Sequence, residues 1–290
     1  MTVYLNGQFM PLEQARVPVL DRGFIFGDGV YEVIPVYSRR AFRLAEHLQR
    51  LQHSLDGIRL ANPHSTQEWS ELVNTLIERN AGEDQYLYLH VTRGVAKRDH
   101  AFPKPPVPAT IFMMSSPLTT PPAELLASGV SAVTAVDNRW LHCDIKAISL
   151  LPNVLLRQQA VDAGCAEAIL IRPDPGTGSG FMTEGAASNI FAVKSGLLLA
   201  PPKDNLMLPG ITYDVVLELA RNAGIPYEVR KVMLSEVQSA DELLLTSSTK
   251  EVLPITTLDG KPVGNGKPGP LFAQLHALYQ TFKREVMRKP

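Results

Sequence analysis

Lys146 lies in the run Cys143-Asp144-Ile145-Lys146-Ala147-Ile148-Ser149-Leu150-Leu151, an amine set among apolar side chains. Burying an ammonium is costly unless it is paired or gives up its proton. Such a lysine is either a snorkelling surface residue or an amine kept for chemistry. Four other segments carry more polar and glycine specification than packing requires. In Asp21–Glu32, three glycines fall close together and allow tight turns or close backbone approach to a ligand. No Gly-Lys-Ser/Thr ending follows, so a P-loop is set aside and a structural turn is the simpler account of that segment alone. Leu208-Pro209-Gly210-Ile211-Thr212-Tyr213-Asp214 leads into an apolar helix, whose first N–H groups form a ready anion site. Thr246-Ser247-Ser248-Thr249-Lys250-Glu251 places a row of hydroxyls after the apolar strand Leu243–Leu245. Thr183–Phe191 sets Glu184 among small residues as the chain enters a strand, where a carboxylate can lie against a flat ring. Taken singly, each is better explained as a turn, a cap or a loop.

The elements that position these residues follow from periodicity. Val3–Leu5, Asn6-Gly7 and Gln8–Met10 read as a hairpin, since Asn-Gly suits a type I′ turn. Strands are expected at 29–36 and 40–43. Leu44, Leu48, Leu51 and Leu55 form one stripe of an amphipathic helix. A second helix is expected over 67–79, and strands over 85–93 and 110–116. Pro117, Pro121 and Pro122 stiffen a connection. The expected division is an N-terminal α+β domain at 1–117, a linker at 118–122 and a C-terminal domain at 123–290. In the second half, strands are expected at 129–136, 166–172, 188–194, 197–200, 227–232 and 242–247. Helices are expected at 152–163, 212–223, after Ser235 and at 271–287, with a hairpin at Asp259-Gly260. Strands and helices mix without a strict βαβ rhythm, which favours α+β or mixed α/β over a Rossmann sheet or TIM barrel.

Composition narrows the function. The chain has 290 residues, 45% hydrophobic and 20% charged, enough for a sizeable core. With 28 basic and 29 acidic residues the net charge is −1, which offers no electrostatic case for nucleic acid or an anionic membrane. No run is long and apolar enough to span a bilayer, and no secretion signal is visible, so a cytoplasmic protein is expected. Two cysteines, Cys143 and Cys165, make neither a disulfide framework nor a structural metal site, and no metal is expected.

Together the segments offer an amine for a carbonyl, a carboxylate for a ring nitrogen, and N–H and hydroxyl groups for a phosphate. Pyridoxal 5′-phosphate (PLP) requires that set. In order and content, Asp21–Glu32, Cys143–Leu151, Thr183–Phe191, Gly210–Thr212 and Ser247–Glu251 resemble the class IV (fold-type IV) PLP aminotransferases, and within them the D-amino-acid aminotransferases. The resemblance implies a two-domain fold-type IV enzyme in which Lys146 is the Schiff-base and proton-moving lysine and Glu184 keeps the ring nitrogen protonated. It further implies that Arg50 holds the phosphate with Ile211, Thr212 and Ser248, assisted by Thr249. Arg50 sits one turn from His47, a placement in which both can face a cleft mouth.

The stretch Val91–His100 is basic, polar and otherwise an ordinary solvated loop. By resemblance, Arg98 and His100 reach into a neighbouring subunit's site and, with Tyr31, trap the substrate α-carboxylate. A guanidinium fork suits a carboxylate better than an ammonium does. The implied activity is ping-pong transamination from a D-amino acid to a 2-oxo acid, 2-oxoglutarate or pyruvate, by a homodimer. The same-family alternatives are an L-branched-chain or primary-amine transaminase and an aminodeoxychorismate lyase. A PLP-binding protein without turnover is the alternative outside enzymes. Three features depart from the family pattern: Tyr213 stands where arginine is frequent, Asp174–Gly180 lengthens a turn, and Pro152 replaces a frequent glycine. They leave substrate range open.

Overall fold

Asn6 and Gly7 take φ of 47° and 92° and close the expected hairpin between strands β1 (Thr2–Leu5) and β2 (Gln8–Pro11). The structure is a computed structural model that describes residues 1–176 and 178–289. Thr177, within the lengthened turn, lies outside the described residues. The chain forms two units. The first comprises Met1–Thr119, Ile145–Leu150 and the chain end from Met287; the second comprises Thr120–Asp144 and Leu151–Val286. The return of Ile145–Leu150 to the first unit is something a division at one linker cannot express.

After the hairpin, the first unit continues with α1 (Arg22–Phe26), β3 (Gly29–Tyr37), β4 (Arg40–Ala41), α2 (Leu44–Gly57), α3 (Thr66–Glu78), β5 (Gln85–Thr92) and β6 (Thr110–Pro117). Its sheet runs β2-β1-β6-β5-β3-β4 with antiparallel neighbours throughout. Val30, Ile34 and Val36 of β3 face the core with Leu48, Leu51 and Leu55 of α2 and Trp69, Val73 and Leu76 of α3. Each such side chain contributes about 1.5–3 kcal/mol by leaving water. Ser65 and Glu68 close a capping box at the start of α3. The strand expected over 40–43 stops at Ala41, because Arg43 turns left-handed (φ 49°) to begin α2.

The second unit contains α4 (Ala123–Ser128), β7 (Val130–Val136), α5 (Leu151–Asp162), β8 (Glu167–Asp174), β9 (Ser179–Gly185), β10 (Asn189–Lys194), β11 (Leu197–Ala200), α6 (Ile211–Asn222), β12 (Tyr227–Val229), β13 (Val232–Met233), α7 (Leu234–Gln238), β14 (Glu242–Ser247), β15 (Glu251–Leu258), β16 (Lys261–Pro262) and α8 (Pro270–Phe282). Among the described residues its sheet runs β12-β11-β10-β14-β15-β7-β8-β9-β13, with β16 added to β15. The pairs β11/β12, β15/β7 and β7/β8 are parallel and the others antiparallel, so the fold is mixed as expected. The single strand expected over 227–232 is two: β12 and β13 end opposite edges of the order, with only Arg230 and Lys231 between them. Those two edges are thereby drawn together, which shields strand ends that would otherwise pair with other chains. Helix α4 starts directly after Pro122, a position proline tolerates because the first helical N–H groups need no intrahelical partner. No helix among the described residues is long and apolar enough to cross a membrane.

Candidate active site

The apolar setting of Lys146 has a simple cause. Its segment pairs with the start of β3: Ala147 bridges Val30, Tyr31 N donates to Lys146 O (3.0 Å), and Ile148 N donates to Gly29 O (3.1 Å). Ile145 and Ala147 then enter the core of the first unit. Lys146 lies between them and is half-buried, with Nζ 4.1 Å from the centroid of the Tyr31 ring. Tyr31 leans on Tyr88 (5.7 Å between centroids), whose hydroxyl meets His90 Nδ1 at 2.9 Å. Burial, aided by Tyr31, pushes the Tyr88 hydroxyl up to about 12, so it remains a neutral hydroxyl. The structure therefore brings Lys146 and Tyr31 together.

Arg50 and His47 do not face outward. Both turn in towards Glu32, which is fully buried on the core face of β3. Arg50 donates from Nε to Oε1 (2.7 Å) and from Nη2 to Oε2 (2.8 Å); His47 Nδ1 lies 2.8 Å from Oε2. Burial works against the Glu32 charge, but Arg50 and His47 outweigh it and hold the carboxyl well below the usual range. Burial lowers the pKa of His47, so the countercharge is the guanidinium. The expected placement of both residues at a cleft mouth is corrected: each points inward to Glu32. An inward carboxylate beside Val30 and Ile34 would be prohibitively costly alone, and Arg50 turns in with His47 to meet it. The two-point contact fixes the guanidinium plane of Arg50.

Arg98 and His100 lie on the exposed arm between β5 and β6. Both rest on Phe26, not on Tyr31: Arg98 Cζ is 5.5 Å and the His100 ring 5.3 Å from the Phe26 centroid.

The second unit holds a separate group. Glu184, the last residue but one of β9, is buried; Oε1 accepts from Arg139 Nη1 (2.5 Å), while Oε2 accepts from Asn189 Nδ2 and Leu208 N (both 3.2 Å). Asp137 in turn grips Arg139 Nε (2.9 Å) and Nη2 (3.0 Å), and accepts from Thr183 Oγ1 (2.7 Å). Burial pushes the Glu184 carboxyl up to about 7, against the pull of Arg139. A carboxylate has about four lone-pair positions, so three donors leave room for one more N–H. Sequence reasoning missed Asp137, Arg139 and Asn189. The run Asp137-Asn138-Arg139 looks like any polar exit from a strand, and nothing in its spacing points to Glu184.

Ile211 and Thr212 open α6, and the cap residue Gly210 supplies no side-chain hydrogen bond. The first N–H groups of a helix have no intrahelical partner, and here the side-chain cap is missing too. Helix α6 packs on β14, and the turn after β14 carries the half-buried Ser248 and Thr249. Thr246 Oγ1, at the end of that strand, is buried with no hydrogen-bond partner. An unpaired hydroxyl, bare helical N–H groups and a row of further hydroxyls are the donors a phosphate takes up. The chemistry of both units fits PLP: an amine and a fixed guanidinium in the first, and a buried carboxylate and anion donors in the second.

Comparison with known proteins agrees. The family model for amino-transferase class IV matches residues 29–258. A D-alanine aminotransferase from Bacillus licheniformis is 41% identical over 283 residues, covering 97% of this chain and 96% of that protein. One from Staphylococcus epidermidis is 39% identical over 280 residues, covering 97% of each. Among solved structures, a branched-chain amino acid aminotransferase from T.th., with pyridoxamine 5′-phosphate, is similar with a TM-score of 0.89 at 26% identity, covering 100% of this chain and 95% of that one. The protein belongs to the class IV aminotransferases.

Proposed function

We propose that the chain is a PLP-dependent transaminase that moves the amino group of a D-amino acid to a 2-oxo acid, 2-oxoglutarate or pyruvate, in two half-reactions. The observation that carries the D-amino-acid assignment is near-full-length similarity to proteins named D-alanine aminotransferases, together with Arg98 and His100 on one arm. When bound, PLP supplies an aldehyde to take the amino group and an electron-poor ring to hold the electron pair left at Cα. Lys146 would anchor the cofactor through Nζ, and its free amine would accept the proton from the substrate Cα. Glu184 keeps a proton on the ring nitrogen, and the Arg139–Asp137 pair behind it holds the carboxylate in place. Arg50, the N–H groups of Ile211 and Thr212, and the hydroxyls of Ser248 and Thr249 hold the phosphate. Tyr31, Arg98 and His100 bind the substrate α-carboxylate, Arg98 by a two-point fork.

Arg98 and His100 are exposed on a single chain, which supports their serving the site of a second copy in a homodimer. Apolar exposure supports the same assembly. Val19 (71%) and Phe24 (76%) are bare near the arm in the first unit, as are Leu151 (68%), Val154 (58%) and Leu155 (57%) along one face of α5 in the second. Two free thiols, Cys143 and Cys165, support a cytoplasmic setting.

The test is to add D-alanine, L-alanine, L-leucine and an aryl amine separately to the purified holoenzyme and follow the cofactor absorbance. A spectral change with D-alanine alone is expected. Change with L-leucine or the aryl amine in its place assigns the branched-chain or amine activity. Pyruvate release without an amino acceptor, from an aminodeoxychorismate-like substrate, assigns the lyase.

A further inference from the structure

Arg22 is almost fully buried at the start of α1, far from any role in packing an apolar core. Its Nη1 donates to the carbonyls of Asp99 (2.6 Å) and Ala101 (3.2 Å), and its Nη2 to that of His100 (3.3 Å). One guanidinium thus grips three successive peptide carbonyls of the arm. Its Nε donates to Asp28 Oδ2 (2.8 Å), and Asp28 is shared with Arg93 at 2.8 and 3.0 Å. Arg93 stacks on Phe102 at 3.8 Å and so fastens the arm where it leaves His100. One turn along α1 from Arg22, Phe26 lies under Arg98 (5.5 Å) and His100 (5.3 Å), and Arg22 itself covers that ring at 4.9 Å. The helix is pinned by Asp21, whose carboxylate accepts from Gly23 N, and by Gly27 in the left-handed region at φ 66°. The backbone of the arm and both its functional side chains are therefore referenced to a single five-residue element.

We propose that Arg22 and Phe26 are positioning residues that set substrate specificity: Arg22 fixes the peptide planes of Asp99–Ala101, and Phe26 supports the side chains of Arg98 and His100, so that the arm is already shaped for a carboxylate. This rests on the assignment of Arg98 and His100 to the substrate α-carboxylate. A pre-shaped arm does not draw on substrate binding energy to order itself. A lysine at position 22 can keep the ion pair with Asp28 but lacks the flat fork needed for three carbonyls.

The experiment compares holoenzyme variants Arg22→Lys, Phe26→Leu, Arg98→Ala and the double variant Arg22→Lys/Arg98→Ala. KM and kcat are measured for D-alanine and for a primary amine that has no carboxylate. Arg22→Lys is expected to raise KM for D-alanine on the order of tenfold, with kcat within about twofold and the amine unaffected. Phe26→Leu, which leaves the Arg22–Asp28 pair intact, should raise the same KM by roughly threefold, and it carries the comparison if the lysine variant does not fold. In the Arg98→Ala background, Arg22→Lys should change KM by less than about twofold, because the group it positions is gone. If Arg98→Ala raises KM while Arg22→Lys and Phe26→Leu do not, the positioning role is overturned and the carboxylate assignment stands. If Arg98→Ala leaves KM unchanged, both fall. Equal losses on D-alanine and on the amine would make Arg22 a general structural residue and overturn the proposal.

Discussion

Replacing Glu32 by glutamine isolates the buried charge behind Arg50. Glu32 is fully buried and receives two guanidinium donors at 2.7 and 2.8 Å. Glutamine keeps the shape and one acceptor oxygen but turns an NH₂ towards one of the donors and leaves Arg50 without its countercharge. Breaking a buried pair by removing one partner costs about 3–5 kcal/mol, and the retained acceptor places this variant near 3. At about 2–4 °C per kcal/mol for a domain of 150–250 residues, the melting temperature should fall by roughly 6–12 °C. The pH dependence gives an independent check of sign. The Glu32 carboxyl is held below its ordinary value of 4.5, so its stabilisation is fully present above that pH and is lost as pH falls. Each unit below 4.5 should remove about 1.4 kcal/mol from the wild-type advantage. Thermal melts of both proteins at pH 7.5 and pH 3.5 should therefore show a gap that narrows by roughly half on acidification. PLP titration should also show weaker retention, since the plane of Arg50 is no longer fixed. A variant melting within about 1 °C of wild type at pH 7.5, or a gap that widens in acid, refutes the reasoning.

Two more outcomes follow from the site. Lys146→Ala should retain PLP without a covalent link and lose multiple turnover, giving a rate lower by at least about 10²-fold in a steady-state assay. In the apoenzyme, burial pushes the Glu184 carboxyl from an ordinary 4.5 up to about 7, so its contribution to stability is full below pH 4.5 and is lost as pH rises through about 7. Glu184→Gln should flatten that slope, which denaturant midpoints measured across about pH 4–8 will detect.

Much of the site was legible because its signals are local. The flanks of Lys146 are apolar because Ile145 and Ala147 alternate with it along an extended segment, a period the eye can find. The leucine stripe of α2 and the Asn6-Gly7 turn were equally open to view. Glu32 carries a local signal of the same kind, though a subtler one. In Val30-Tyr31-Glu32-Val33-Ile34 it falls in phase with the inward residues, and a carboxylate on that face demands a cation. Arg50, one helical turn after His47, was the cation at hand. Arg139 is different in kind. Its partner Glu184 lies 45 residues along the chain, and only the pairing of β7, β8 and β9 brings the two together. No periodicity encodes that. The break between β12 and β13 was hidden for the same reason: a run of strand-forming residues does not reveal which edge of a sheet each half will join.

The buried charges also separate what must stay still from what must move. Arg50 is clamped by Glu32, Glu184 by Arg139, Asn189 and Leu208 N, and Arg22 by Asp28 and three carbonyls. Under the proposed function each has a task in which orientation is everything: holding the phosphate, partnering the ring nitrogen, clamping the arm. Lys146 is held otherwise. Its backbone is fixed through Ser54 Oγ and Tyr31 N, but among the described residues Nζ makes no ion pair and lies over the face of Tyr31. A carboxylate within reach would favour the charged ammonium and hold it in one place, whereas a group that must let go of one atom and carry a proton to another needs freedom at its tip. An aromatic face restrains an amine by about 0.5–1 kcal/mol where water reaches it, which thermal motion can overcome. The fold places its buried ion pairs on the residues proposed to hold and withholds one from the residue proposed to transfer.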